Sequence, residues 1–172
     1  MPVIYKPGLS GSEISYIESQ LQRKLPEDYK GFLSRSNGLY LTEPDFGQLS
    51  LTSVDEQFVS FDRFFGLIPT EECNDLVSFN KEFIDELSFL QEVIAVGEDG
   101  GGNPYVIVGE PGREGVYYWD RTHLHEGEAS NSFDIQEQGD SGNLFYMGKN
   151  FEDFYSLVIG TLGGSPQFIE ER

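Results

Sequence analysis

One cysteine, one tryptophan, two histidines and two methionines are spread over 172 residues, and 11 Lys and Arg face 30 Asp and Glu. The lone Cys73 excludes an internal disulfide and fits a reducing compartment. Apolar runs stop at about five residues, far short of the ~20 that a membrane-spanning helix requires. Residues 1–20 carry Lys6, Glu13 and Glu18 and lack the continuous apolar stretch of a secretory leader. These absences predict a cytoplasmic protein. The shortage of basic side chains argues against duplex DNA, RNA or an anionic membrane as a direct partner, because Lys and Arg are what hold a phosphate backbone.

What is present is a globular composition. Leu, Ile, Val and Phe supply 50 residues, enough to build a core despite a net charge of −19. The length fits one domain, and neither an internal repeat nor a linker interrupts it. The charge is uneven. Residues 1–36 hold five basic and four acidic groups, whereas the other 136 residues hold 6 and 26. No Lys or Arg lies between Arg121 and Lys149. Such a surface either keeps the protein soluble or forms an electrostatic face for a basic partner.

Helix signals come first along the chain. Ser10 and Glu13 have capping-box spacing, and Ile14, Ile17 and Leu21 share a face, which predicts a helix over 11–23. Pro26 opens a second helix with Glu27 and Asp28 in its first turn, and Asn37-Gly38 is expected to end it. Phe58–Phe65 reads as one strand. Thr70 is the expected cap of a third helix whose face is Leu76, Phe79, Phe83 and Leu87, with Cys73 as a small buried residue.

The period then turns from helix to strand. Val93–Val96, Tyr105–Val108 and Val116–Trp119 are separated by glycine-rich breakers too short for a crossover helix, so an antiparallel meander is predicted. Residues 121–148 offer one weak strand signal at Ser132–Ile135, and a last helix starts at Asn150 and stops at Gly163-Gly164. Helices flanking a central, mainly antiparallel sheet make the class α+β in a single domain.

Catalytic and metal patterns are weak. Gly97–Asn103 carries neither the Lys-Ser/Thr of a phosphate loop nor the alternating carboxylates of a calcium loop, and reads as a hairpin turn. His123 and His125 lack a second ligand cluster for zinc. Cys73 sits among Glu71, Glu72 and Asp75, whose charges suppress a thiolate. No metal, no cofactor and no enzymatic activity are therefore expected. A carboxylate-based hydrolase stays as a minor alternative. Trp119 is assigned to the core.

Several segments together resemble the SUKH superfamily, the Smi/Knr-like domains. These are Leu25-Pro-Glu-Asp-Tyr-Lys-Gly-Phe-Leu33 with Asn37-Gly38, Ile94-Ala-Val-Gly-Glu-Asp-Gly100, the Val116-Tyr-Tyr-Trp-Asp120 strand, and Phe151 and Phe154 near the start of the last helix. The resemblance spans about residues 11–162. It implies an α+β domain without known catalysis, in which Pro26, Tyr29, Gly38, Gly97 and Trp119 are structural. It also implies, for many bacterial members, an immunity protein that neutralises a cognate toxin.

Charge suggests how. Nuclease toxins hold phosphate in basic clefts, and an acidic protein can present carboxylates there. The expected toxin-binding residues are Glu98, Asp99, Asp120, Glu126 and Glu128, with Tyr118 as an anchor. A regulatory or scaffold domain of the Smi/Knr type is the alternative.

Overall fold

The computed structural model describes residues 2–42, 47–125 and 132–172. Strand β1 (Val3–Pro7) leads into helix α1 (Gly11–Leu21), which opens as its sequence predicts. The Glu13 amide donates to Ser10 Oγ, and the Ser10 amide donates back to the Glu13 carboxylate at 3.0 Å. Helix α2 (Glu27–Arg35) follows Pro26.

The expected stop at Asn37-Gly38 is not a helix end. Ser36 is already extended, and strand β2 (Ser36–Leu41) begins there. Gly38 lies inside that strand at φ +76°, where a Cβ would sit 2.9 Å from the Gly66 nitrogen and the Phe64 oxygen. Glycine therefore admits the neighbouring chain rather than closing the helix.

The predicted strand 58–65 is cut at Asp62. Strand β4 (Phe58–Phe61) pairs with β3 (Gly47–Ser50) in a separate two-stranded sheet, while β5 (Arg63–Phe64) pairs with β2 and β6. Unbroken alternation would put Phe61 and Phe64 on opposite faces. The break brings their ring centroids to 4.8 Å, in one core.

The third helix also departs from expectation. A 3₁₀ turn (Glu72–Asn74) precedes α3 (Leu76–Phe83), and a second 3₁₀ turn (Ile84–Leu87) extends it. The cap is Asp75, not Thr70. Its buried carboxylate accepts from the Ser78 amide at 2.8 Å and from the Ile68 amide at 2.6 Å. Cys73 is consequently exposed in the turn rather than buried.

The meander β6 (Val93–Glu98), β7 (Pro104–Val108), β8 (Gly115–Trp119) forms as predicted and is continued by β9 (Leu144–Gly148). Helix α4 (Phe151–Thr161) starts on its Asn150 cap, and β10 (Phe168–Glu170) returns to the first strand. Among the described residues the main sheet has eight strands in the order β10-β1-β2-β5-β6-β7-β8-β9, antiparallel except for β1 with β10. The fold is α+β, with one large, mostly antiparallel sheet and four α-helices among the described residues.

Aromatic packing locks the layers. Phe64 and Tyr105 of the sheet meet Phe154 of α4, and Phe32 of α2 meets Phe64 and Phe151. Asp28 ties two helix starts together, accepting from the Tyr29 amide at 2.8 Å and the Glu152 amide at 3.0 Å. The two borders of the sheet differ. Beside β9, Leu144 bridges Ile135, and the Asp134 carboxylate accepts the Tyr146 amide at 2.8 Å. Beside β10, the border residues Phe168 and Ile169 stay 45% and 40% exposed.

Candidate functional site

The β6–β7 hairpin places Asp99 at the start of its turn. The Asp99 carboxylate accepts from the Gly101 amide (2.7 Å), the Asn103 amide (3.0 Å), the Asn103 side-chain amide (2.9 Å) and the Tyr118 hydroxyl (3.1 Å). The Asn103 side-chain oxygen Oδ1 in turn accepts from the amide and hydroxyl of Thr122, both at 2.9 Å. Asp120, 4% exposed, accepts from the amides of Leu124 and His125 at 2.9 and 3.0 Å. These residues hold the 97–103 and 120–125 loops against each other.

Two of the expected contact residues therefore face inward. Tyr118 is fully buried against Tyr105, His125 and Phe145, so it cannot anchor a partner in this structure. The Asp120 carboxylate is occupied within its own loop. All five residues of the strand that carries Tyr118, β8, are buried. Asp99 is half-buried and already hydrogen-bonded. Glu126 and Glu128 lie outside the described residues.

Glu98 is different. It is half-buried and stands opposite Arg63 in the β5–β6 register. Burial raises its pKa. Asp62 and Asp99 push it further up, and only the Arg63 charge and the Gly102 N–H oppose them. Arg63 is itself engaged, with Nε 2.8 Å from Asp62 and its guanidinium 5.5 Å above the Tyr40 ring.

Arg63 also lines a groove that the sequence gave no reason to suspect. Its floor is Ile4 and Lys6 of β1, Gly38 and Tyr40 of β2, and Arg63 of β5, and its walls come from residues 68–74 and Glu171. The volume is about 170 Å³. Lys6 pairs with Glu171 at 3.2 Å, and burial with the Glu171 charge pushes the Tyr40 phenol up. The groove could not be read because β1 and β10 were not recognised as strands, and Lys6, Tyr40, Glu71 and Glu171 are far apart in sequence. Among the described residues, no group of three His, Cys, Asp or Glu side chains is arranged to hold a metal ion.

This sheet, its helix order and the buried motif residues can now be set beside known proteins. The profile of the SMI1/KNR4 family (SUKH-1) matches residues 8–157. The chain belongs to this family. No curated protein matches it. Within this SUKH-1 domain the motif positions do structural work. Pro26 caps α2, Tyr29 and Trp119 are fully buried, and Gly38 and Gly97 lie where chains approach closely. The Trp119 indole N–H donates to the Ser141 carbonyl at 2.7 Å.

Proposed function

We propose that this SUKH-1 protein is a cytoplasmic, non-catalytic immunity protein. It binds a cognate bacterial toxin with a basic nuclease domain and blocks it stoichiometrically, without a cofactor. Family membership supports the protein-binding role. The observation that carries the mechanism is the uncompensated negative charge. Among the described residues seven of the 11 Lys and Arg already lie in ion pairs, while Asp and Glu number 30 in the sequence, so carboxylates remain in surplus.

Complementary fields raise association rates and set specificity more than they raise affinity, and salt weakens them. Of the expected surface this reading retains Glu98; Glu126 and Glu128 remain proposed contacts on sequence grounds alone. No helix among the described residues is long and apolar enough to cross a membrane.

The test is binding to a co-encoded toxin domain at low and high salt. The reading expects association that slows steeply with salt, and an association indifferent to salt overturns the charge mechanism. A regulatory or scaffold role is the second reading, because the family description couples SMI1/KNR4 with SUKH-1. It expects partners other than a neighbouring toxin.

A further inference from the structure

We propose that the groove over β1, β2 and β5 receives a lysine or arginine side chain of a basic protein partner. This rests on the toxin-binding reading and names the place on the surface where it is exercised.

The sheet itself points to this face. Alternate residues Val3, Leu39, Leu41 and Phe64 are buried, while Ile4, Lys6, Tyr40 and Arg63 between them are half-buried. On strands, such alternation separates a core face from an accessible one. The accessible face is concave, because residues 68–74 and Glu171 rise beside it. Its volume of about 170 Å³ compares with the ~150 Å³ cavity that admits benzene, so it accommodates a single side chain rather than a helix.

Its charges then select the occupant. Two cations, Lys6 and Arg63, and two carboxylates, Glu71 and Glu171, line it, and two more carboxylates flank Arg63 at its border, Asp62 beside it in the chain and Glu98 opposite it in the β5–β6 register. Lys6 is matched to Glu171 and Arg63 to Asp62. Glu71 makes only a 3.3 Å contact with the Asn74 side-chain amide, and Glu98 makes no ion pair among the described residues. An anionic group entering here would meet unmatched carboxylates. A cationic one would neutralise them. The aliphatic stem of a Lys or Arg would lie on Ile4 and Ile68.

The experiment uses the full chain and a peptide of alternating arginine and glycine as probe, with binding followed by amide shift perturbation and calorimetry. One variant carries Glu71→Gln, Glu98→Gln and Glu171→Gln. A control of equal net charge carries Glu82→Gln, Glu92→Gln and Glu152→Gln, all exposed and outside the groove. Circular dichroism establishes that both fold. The proposal expects shifts clustered on β1, β2 and residues 68–74, and an affinity loss about tenfold larger for the groove variant than for the control.

Equal losses in both variants, or shifts scattered over the whole acidic surface, overturn the groove while leaving the broader charge mechanism standing. Salt-indifferent binding of the toxin, with the peptide still confined to the groove, sinks that broader mechanism and leaves the groove as a cation site.

Discussion

The Asn80 side chain pairs with the backbone of Ala95 as a strand would. Its amide donates to the Ala95 carbonyl at 2.9 Å, and its carbonyl oxygen accepts the Ala95 amide at 2.8 Å. Strand β5 is only two residues long and meets β6 at Gly97 and Glu98. Beyond it, where the Phe65 amide still reaches the Val96 carbonyl, no strand among the described residues pairs with the side of β6 away from β7, and α3 supplies the Asn80 side chain. Asn80 is 1% exposed, so neither Ala95 group can turn to water.

Replacing Asn80 by Leu strands both Ala95 groups in the interior. Each orphaned buried polar group costs about 1–3 kcal/mol, so Asn80→Leu is expected to destabilise by about 2–6 kcal/mol. Urea unfolding reads this as a lower midpoint. A loss below about 1 kcal/mol would show that the pairing is incidental.

Asp99 is expected to act on stability rather than on recognition. Asp99→Ala removes the acceptor of Asn103 and Tyr118 and should cost about 2–3 kcal/mol. Tyr118→Phe should leave partner binding unchanged, because the ring never reaches the surface. A binding defect in folded Tyr118→Phe would contradict the buried placement.

Gly97 illustrates how much of the site the sequence disclosed. The turn after Val93–Val96 was legible from its glycines, but the reason for Gly97 was not. A Cβ there would overlap the Arg63 carbonyl oxygen and lie 3.2 Å from the Phe64 ring. Gly97→Ala is expected to destabilise by about 1–3 kcal/mol through overpacking, measured by thermal unfolding.

Helices α1, α2 and α4 were readable because caps and apolar spacing are local signals. Strands β1 and β10 were not, because their pairing joins Val3 to Phe168 across nearly the whole chain. The same long reach hid the groove. Carboxylates such as Asp120 misled for the opposite reason: a sequence shows the charge but not the backbone amides that claim it.

Glu98 provides a pH signature. Burial raises its folded pKa above the ordinary 4.5, so the folded state holds the proton more tightly and stability falls as pH rises through that range. Glu98→Gln is therefore expected to stabilise the fold at neutral pH, with the advantage vanishing once acid protonates the wild-type carboxyl. Urea midpoints for both proteins across the acidic range check this. A variant less stable than wild type at neutral pH would reverse the sign.

Alkali gives a second titration. Burial pushes the Tyr29, Tyr105 and Tyr118 phenols up, so they remain protonated in the folded state. Stability should drop as pH climbs beyond ~10, where the unfolded phenols ionise. Tyrosinate absorbance should then appear for these rings only together with the loss of fold, and Trp119 fluorescence reports the same event because the indole is fully buried. Ionisation of all tyrosines before that loss would contradict the burial.

Asp134 makes the sheet asymmetric in its capacity to grow. With its carboxylate seated on the Tyr146 amide, the β9 margin offers no ready template, while among the described residues no further strand pairs with the β10 margin. A second chain could add at the β10 margin, but a third would find nowhere to continue. Any edge-to-edge accretion of this protein would thus terminate at a pair instead of running on into a fibre.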